Sequence, residues 1–475
     1  MLEEELMQLV KKVTPEKCEK QHIEIKKAAG GTPSKLYDTL SSFSNQPGGG
    51  IIIFGIDENG GYEVTGVYDV QDLQKKVMEQ SLQMEPVVRP LFTVAQMDDK
   101  LVVSAEISEL DIYEKPCFYK GAGRLRGSYI RVGDSDQPMT EYEIYSYEAF
   151  KRRTHDELRT VDRATMKNLS KDNLTEYLIK LRRQKQNLLN LDNERILETQ
   201  GISQDGLPTL TGLMLLSEYP QEFFPQLSVT AMVVHGKEIG DLGNDGERFV
   251  DNKRIEGTIT QMLESTLAFV RRNMKVKTII TDEGTRADKP EYPIKAVREI
   301  ILNALIHRDY SVHTDRSPIR LVMYEDRLEL ENPGGLYGRI TVDDLGKASA
   351  DTRNPFMAGA LEIMIDTENR FSGIPTIVAE LKNAGMPSPV FIDRRGVFKV
   401  IFYKKAAEQG EEVNKEQEIL DYCRTPRSRE ELADKFGFEA PSYFIKTYIA
   451  PLLLDGKIKM TIPNKPKSKF QKYYS

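Results

Sequence analysis

Tryptophan is absent from the 475 residues, cysteine occurs three times and histidine five. Cys18, Cys117 and Cys423 lie far apart, so the sequence offers no disulfide framework and no Cys/His metal spacing. No run approaches the roughly 20 apolar residues that cross a bilayer, so no membrane partner is expected. The start, Met1-Leu-Glu-Glu-Glu5, is acidic and lacks the apolar core of a secretory leader. A cytoplasmic location is the default expectation. Positive charge is not in excess either. Lys and Arg number 66 against 73 Asp and Glu, a net of −7, which excludes a uniformly basic nucleic-acid coat and leaves room for local basic surfaces. No Gly-x₄-Gly-Lys-Ser/Thr loop occurs, which argues against a P-loop helicase or ATPase. What is there is ordinary globular material, 39% hydrophobic and 29% charged. Its length suggests about three domains.

The pattern is multidomain α/β. Residues 1–16 read as a charged amphipathic helix, His22–Lys26 as a short strand and 34–44 as a helix. The apolar, β-branched run Ile51–Asp57 reads as a buried strand. Strands at 91–95, 101–107 and 128–132 complete one α/β domain, residues 1–145. Residues 146–204 form a basic helical linker, with 11 Lys/Arg against 5 Asp/Glu in 151–190. A second α/β unit covers 205–407. Its strands are expected at 208–216, 228–235, 318–324, 327–331 and 396–403, and its helices at 254–273, 293–308 and 374–384. The polar stretch 408–418 leads into a small third unit that ends at residue 475.

The most informative segment runs from Pro293 to Arg308. Pro suits a first helical turn. Ile294, Val297, Ile301 and Leu305 form one apolar stripe, which Ile300, Leu302 and Ile306 broaden. Glu299, Asn303 and His307 stand at i, i+4 and i+8 as a narrow polar seam. Polar groups on a largely buried helix need partners, because an unpaired one costs about 1–3 kcal/mol. Neighbouring loops, or a bound ion and ligand, could supply them.

The pattern Glu299-x₃-Asn303-Ala-x₂-His307-Arg308 resembles the N-box of the GHKL (Bergerat-fold) ATPases. The resemblance implies an α/β sandwich in which Asn303 binds Mg²⁺ bridging the phosphates of ATP, while Glu299 polarises the attacking water. A metal that neutralises phosphate charge and a carboxylate that orients water are sound chemistry for phosphoryl transfer. Glu331-Asn332-Pro333-Gly334-Gly335-Leu336 resembles the first glycine box. Arg353-Asn354-Pro355 and Phe371-Ser372-Gly373-Ile374-Pro375 resemble the later boxes of a divergent subgroup. Nucleotide contacts are thereby implied for Asn303, His307, Asn332, Gly334, Gly335, Arg353 and Gly373. The family's adenine-reading Asp is Asn332 here, an amide that still donates and accepts.

On a two-residue period His22, Glu24 and Lys26 share one face of the first strand, with Ile23 and Ile25 on the other. Asp57 and Glu58 end the apolar strand. If the two strands are neighbours, the carboxylates and one lysine could converge, hold Mg²⁺ or Mn²⁺ and activate water against a phosphodiester. The blander alternative is a Glu24–Lys26 ion pair on a sheet face. The order Glu19-x₄-Glu24-x-Lys26, Ser42-Phe-Ser-Asn45, Gly49-Gly50-x₃-Phe54-Gly55-Ile56-Asp57-Glu58 and Gly127–Ser135 resembles the Schlafen-type AlbA-like domain. That resemblance implies an RNA-cleaving acid set of Glu19, Glu24 and either Asp57 or Glu58, with Lys26 as electrostatic helper. Bacterial relatives with this domain are usually described as DNA-binding or regulatory. Arg124, Arg126 and Arg131, with Tyr129 among them, form a candidate phosphate-gripping and base-stacking patch.

At the other end, Ser428-Arg-Glu-Glu431 is a capping box opening a helix. A second helix is expected at 442–454, and strands at 456–462 and 470–474 form a hairpin. The whole reads as a winged helix and resembles a tail found on such ATP-binding proteins and on some Fic-type proteins. Lys457, Lys459, Lys467 and Lys469 would lie along phosphates and give salt-sensitive binding. The expected function is a nucleotide-controlled, nucleic-acid-binding regulator. The alternative is an ATP-gated, metal-dependent nuclease of DNA or RNA, with phage or stress defence as a candidate setting. By analogy with both families a homodimer is plausible.

Overall fold

In the computed structural model the described residues are 1–17, 20–243, 245–280, 286–347, 351–365, 373–394, 396–404, 419–420, 422–436, 445–449, 452–453, 457–461 and 471–474. They fall into two compact units, residues 1–380 with 390–401, and residues 381–389 with 402–475. The architecture is multidomain α/β.

The first unit opens with helix α1 (Glu3–Glu16), strand β1 (Ile23–Lys26), helix α2 (Tyr37–Asn45), strand β2 (Gly50–Phe54) and helix α3 (Val70–Ser81). Strands β3 (Leu91–Met97), β4 (Lys100–Ile107), β5 (Tyr129–Val132) and β6 (Ser135–Pro138) follow, and helix α4 (Glu141–Arg152) closes the segment. A four-stranded sheet has the order β1-β2-β4-β3, with β1 parallel to β2 and the other pairs antiparallel. Its two faces carry separate cores. Leu6, Val10 and Val13 of α1 cover Ile23, Ile25 and Ile53. Leu40 and Phe43 of α2, with Leu73 and Val77 of α3, cover Ile52, Phe54, Val103 and Ala105. Each such aliphatic side chain contributes about 1.5–3 kcal/mol on full burial. The expected strand to Asp57 bends at Gly55 (φ +104°), where a Cβ would lie 3.1 Å from the Gly66 backbone. Ile56–Asp57 then pairs with Glu63–Val64 instead.

The same unit continues with helices α5 (Lys171–Gln184) and α6 (Leu210–Leu216), then β7 (Val229–Val233), β8 (Asp251–Ile255) and helix α7 (Ile259–Asn273). Helix α8 (Ile294–His307), β9 (Ile319–Met323), β10 (Arg327–Pro333) and helices α9 (Pro355–Ile365) and α10 (Gly373–Asn383) come next. Strands β11 (Val390–Arg394) and β12 (Val397–Tyr403) complete a six-stranded sheet of order β8-β7-β9-β10-β12-β11. Two expectations change. Residues 208–216 were expected as a strand, but 210–216 are helical. A continuous apolar run does not distinguish the two, and Thr209 decides by capping Gly212 N at 3.1 Å. The helix expected from 254 begins at Ile259, because Thr258 and Gln261 form a capping box after β8.

On β10 the two-residue period separates two chemistries. Leu328, Leu330 and Asn332 are buried on one face. Arg327, Glu329 and Glu331 occupy the other, where Arg327 pairs with Glu329 at 2.6 Å, Lys399 with Glu329 and Glu331 at 3.0 and 2.9 Å, and Arg320 with Glu331 at 3.0 Å. The register therefore places Asn332 on the apolar side of the sheet.

The second unit packs Ile419, Cys423, Leu432, Ile449, Leu452, Ile458 and Tyr473 into a small core. It contains strand β13 (Arg427–Ser428), helix α11 (Arg429–Lys435), β14 (Lys459–Met460) and β15 (Lys472–Tyr474), in the sheet order β13-β15-β14. Ser428 and Glu431 cap α11 reciprocally at 2.8 and 3.2 Å. Of the second helix expected at 442–454, Ile445–Ile449 forms one wide helical turn.

Candidate functional site

Helix α8 buries Val297, Ile300, Ile301, Leu302 and Leu305. Glu299 and Asn303 are half-buried and His307 is exposed, so the polar seam is the face that solvent reaches. Burial raises the Glu299 carboxyl pKa above the usual range, and Arg298, whose Nη1 lies 3.7 Å away, partly opposes this. A raised carboxyl is better matched to accepting a proton near neutral pH. His307 is open to solvent although dense protein surrounds it, the combination expected for a residue lining a concavity. Restricted hydration, with the Arg353 cation adding to it, pushes its imidazole down to about 4, so it is neutral at pH 7.

The amino end of α10 closes on this seam. A Cβ on Gly373 would come within 2.9 Å of Asn303 Nδ2. Lys295 of α8 and Glu380 of α10 pair at 3.6 Å along the same contact. A helix start leaves its first N–H groups outside the helical bonding and is the positive end of the helix dipole. Asn303 thus lies beside a feature that favours anions.

The glycine turn after β10 is held from several sides. Gly334 has φ +101°, and a Cβ there would meet Arg353 Nη1 at 2.4 Å and Asp309 Cβ at 2.6 Å. Gly334 N donates to Gly396 O at 2.7 Å, and Asp309 N donates to Pro333 O at 3.0 Å. Gly335 abuts Asp393, which accepts from Leu336 N at 3.1 Å. Arg353 is buried, with Nη1 3.2 Å from Asp309 Oδ2 and Nη2 donating to Gly335 O at 3.2 Å. Asn354 Nδ2 donates to the carbonyls of Ile306 and Arg308 at 2.8 and 2.7 Å and so closes the carboxyl end of α8. Asn332 is 4% exposed, and its Oδ1 has no hydrogen-bond partner among the described residues. A buried acceptor left this way is costly unless something else fills it.

These residues fit a nucleotide and its cation. The orphaned Asn332 acceptor can take a donor from a base. The two glycines leave room that a side chain would fill, and Glu299 and Asn303 supply oxygen ligands suited to Mg²⁺. Asp309 and Asn354 did not emerge from the sequence as site residues, although Asn354 sits inside a quoted motif and Asp309 directly follows another.

The N-terminal carboxylates are arranged differently from the convergence expected. Glu24 is buried and already paired. Arg131 Nη2 lies 2.7 Å from its Oε2, and Lys26 bonds its Oε1. Arg131 also reaches Asp136 at 3.0 Å, and Asp136 accepts from Ser42 Oγ at 2.5 Å and Thr39 Oγ1 at 2.7 Å. Glu24 stands opposite Ile52 in the β1–β2 register, whereas Asp57 lies beyond the strand end, paired with Lys27 at 2.6 Å. The Lys27 hydrogen bond holds the Asp57 carboxyl below its usual range. Glu58 is exposed, and Glu19 lies outside the described residues. Among the described residues no three His, Cys, Asp or Glu side chains form a metal-holding group.

The basic patch also divides. Arg131 is 4% exposed, an internal cation between Glu24 and Asp136. Arg126 is exposed, and Arg124 pairs with Glu148 at 2.7 Å. Asp136 was missed because its partner Arg131 read as a surface residue. The Ser42–Asn45 motif proves to be a clasp. Asn45 donates to the Cys117 and Tyr129 carbonyls, both at 3.0 Å, and accepts from Cys117 N at 2.7 Å. In the second unit Lys457 and Lys459 are exposed, while Lys467 and Lys469 lie outside the described residues.

Among the described residues no helix is long and apolar enough to cross a membrane. No curated protein matches the chain. Among solved structures, the crystal structure of the DIP2311 protein from Corynebacterium diphtheriae is 19% identical, covering 93% of this chain and 92% of that one at a TM-score of 0.40. The solution structure of the N-terminal domain of a "Putative ATP-dependent DNA Helicase RecG-related Protein" from Nitrosomonas europaea is 26% identical. It covers 28% of this chain and 92% of that one at a TM-score of 0.23. Three family models match parts of the sequence. The chain is similar to "Schlafen, AlbA_2" over residues 19–140, to "Putative ATP-dependent DNA helicase recG C-terminal" (HATPase_c_4) over 316–402, and to "Filamentation induced by cAMP protein Fic-like, C-terminal domain" over 415–474.

Proposed function

We propose that the chain is an ATP-binding protein that binds nucleic acid under nucleotide control, most simply a DNA-binding regulator. The observation that carries this reading is the cradle around α8. Glu299 and Asn303 are its open polar face, the amino end of α10 abuts Asn303, and the buried Asn332 Oδ1 has no hydrogen-bond partner among the described residues. Asn303, with Glu299 nearby, would hold Mg²⁺, which when bound neutralises phosphate charge. The neutral His307 and the α10 terminus would face the polyphosphate. The AlbA_2 and RecG-type matches support the same pairing of nucleotide and nucleic acid.

Binding is favoured over cleavage at the N-terminal carboxylates because Glu24 already carries two cations, Lys26 and Arg131. A cation site there would have to displace them. The exposed Arg126, Lys457 and Lys459 are the proposed phosphate contacts, and the winged-helix reading of the C-terminal unit rests on its capped helix and hairpin.

Calorimetry and thermal melting of the full chain with ATP·Mg²⁺ test the reading. A ligand at 100 times its Kd adds about 2.7 kcal/mol to the state that binds it. The wild type should melt higher with ATP·Mg²⁺, and Asn303→Ala should lose that rise. Labelled DNA and RNA incubated with Mg²⁺ or Mn²⁺, with and without ATP, should be bound and left intact. Cleavage abolished by Glu24→Ala would establish the nuclease instead. An absence of heat with ATP·Mg²⁺ would end the nucleotide reading.

A further inference from the structure

The segment that follows the N-terminal domain does not hang free of the nucleotide cradle. Helix α4 begins at a Thr140–Glu143 capping box, immediately after β6. Its second residue, Tyr142, donates its hydroxyl to Asp309 Oδ2 at 2.7 Å. The same oxygen lies 3.2 Å from Arg353 Nη1. The Tyr142 ring fills the space over Gly396, where a Cβ would come within 2.3 Å of it. Farther along α4, Tyr145 packs on His313 at 4.5 Å and Phe150 on Tyr337 at 5.3 Å. Three turns of one helix thus touch the loop after α8, the β11–β12 turn and the glycine turn.

The chemistry at Asp309 makes this contact specific. Its carboxylate is buried, which opposes the charge, but Arg353, the Ser311 amide and the Tyr142 hydroxyl outweigh that and hold its pKa below the usual range. Burial raises the Tyr142 phenol, so it stays a donor. Asp309 Oδ2 is therefore shared by a neutral hydroxyl and a guanidinium. Arg353 in turn donates to the Gly335 carbonyl, and its Nη1 lies so close over Gly334 that a Cβ there would meet it at 2.4 Å. If the hydroxyl were removed, Asp309 would lose one of the donors that fix its carboxylate, and the Arg353 guanidinium would be paired with a less firmly held partner.

We infer that Tyr142 is a positioning residue for the nucleotide site, acting through Asp309 on Arg353 and the glycine turn. The helix trailing the N-terminal domain is then one wall of the cradle. Nucleotide binding tightens that wall, and by linkage whatever moves α4 alters nucleotide affinity by the same factor. This rests on the reading that the α8 cleft takes ATP·Mg²⁺.

The test uses the full chain and Tyr142→Phe, which keeps the ring over Gly396 and removes only the hydroxyl. Calorimetry with ATP·Mg²⁺ should show affinity weakened about tenfold, a difference of about 1.4 kcal/mol. In an Arg353→Ala background the same substitution should add almost nothing, because the route runs through that cation. Hydrogen exchange gives a second readout. ATP·Mg²⁺ should slow exchange of the α4 amides in the wild type and fail to do so in Tyr142→Phe. Wild-type affinity in Tyr142→Phe would overturn the inference, as would a loss that persists undiminished in the Arg353→Ala background. If the wild type itself gave no heat, the underlying nucleotide reading would fall first, and this one with it.

Discussion

Glu157 is a buried acid with a measurable consequence. It is 0% exposed and lies in the segment that joins α4 to the second α/β portion. Its Oε1 accepts from Phe356 N at 3.2 Å and its Oε2 from Met357 N at 2.8 Å, at the first turn of α9. Burial pushes its carboxyl up from 4.5 to about 7, against the pull of those two amides, and Asp156 adds to the rise. His155 Nδ1 lies 3.6 Å from Oε1, and the buried Tyr310 phenol is close enough to feel its charge. Between the unfolded and folded pKa values the native state holds a proton that the unfolded chain has released. Stability from this group is therefore complete below pH 4.5 and is lost as pH rises through about 7. At about 1.4 kcal/mol for each tenfold in proton affinity, the loss is about 3 kcal/mol. Glu157→Gln keeps an acceptor for one amide and cannot ionise. Urea unfolding of both proteins, stepped from about pH 5 to about pH 8, should show the wild type falling relative to the variant by that amount. Groups common to both cancel in the difference. Parallel curves would refute the reasoning, because burial would then not be keeping the carboxyl protonated.

Three further substitutions probe the two halves of the first unit. Arg131→Ala leaves Glu24 and Asp136 without their shared cation, and should cost about 3–5 kcal/mol in urea unfolding, whereas Arg126→Ala should stay within about 0.5 kcal/mol. Equal effects would mean that Arg131 is not the internal cation its geometry makes it. Gly334→Ala forces a Cβ onto Arg353 and Asp309 at a backbone angle of +101°, and should cost at least about 2 kcal/mol and weaken ATP·Mg²⁺ binding in calorimetry.

Local signals carried most of the legible structure. The seam of α8 could be read because three polar residues at four-residue spacing stand out against Val297, Ile301 and Leu305. The capping box of Ser428 and Glu431, and the strands expected at 91–95 and 101–107 and found as Leu91–Met97 and Lys100–Ile107, were equally plain from spacing alone. The failures have one physical character. Leu210–Leu216 is mostly apolar and buried on every side, so periodicity had nothing to report. Arg131 alternates in β5 as a surface arginine would, and only the tertiary approach of Glu24 and Asp136 makes it an interior residue. Tyr142 carries no local sign at all, since its meaning comes from Asp309, 167 positions later. The sequence therefore reveals groups whose partners are one or two helical turns away. It hides those whose partner arrives from another element, and the link between α4 and the cradle is of the second kind. For that reason the double substitution at Tyr142 and Arg353, which measures a pairwise energy directly, tests the architecture better than further inspection of either motif.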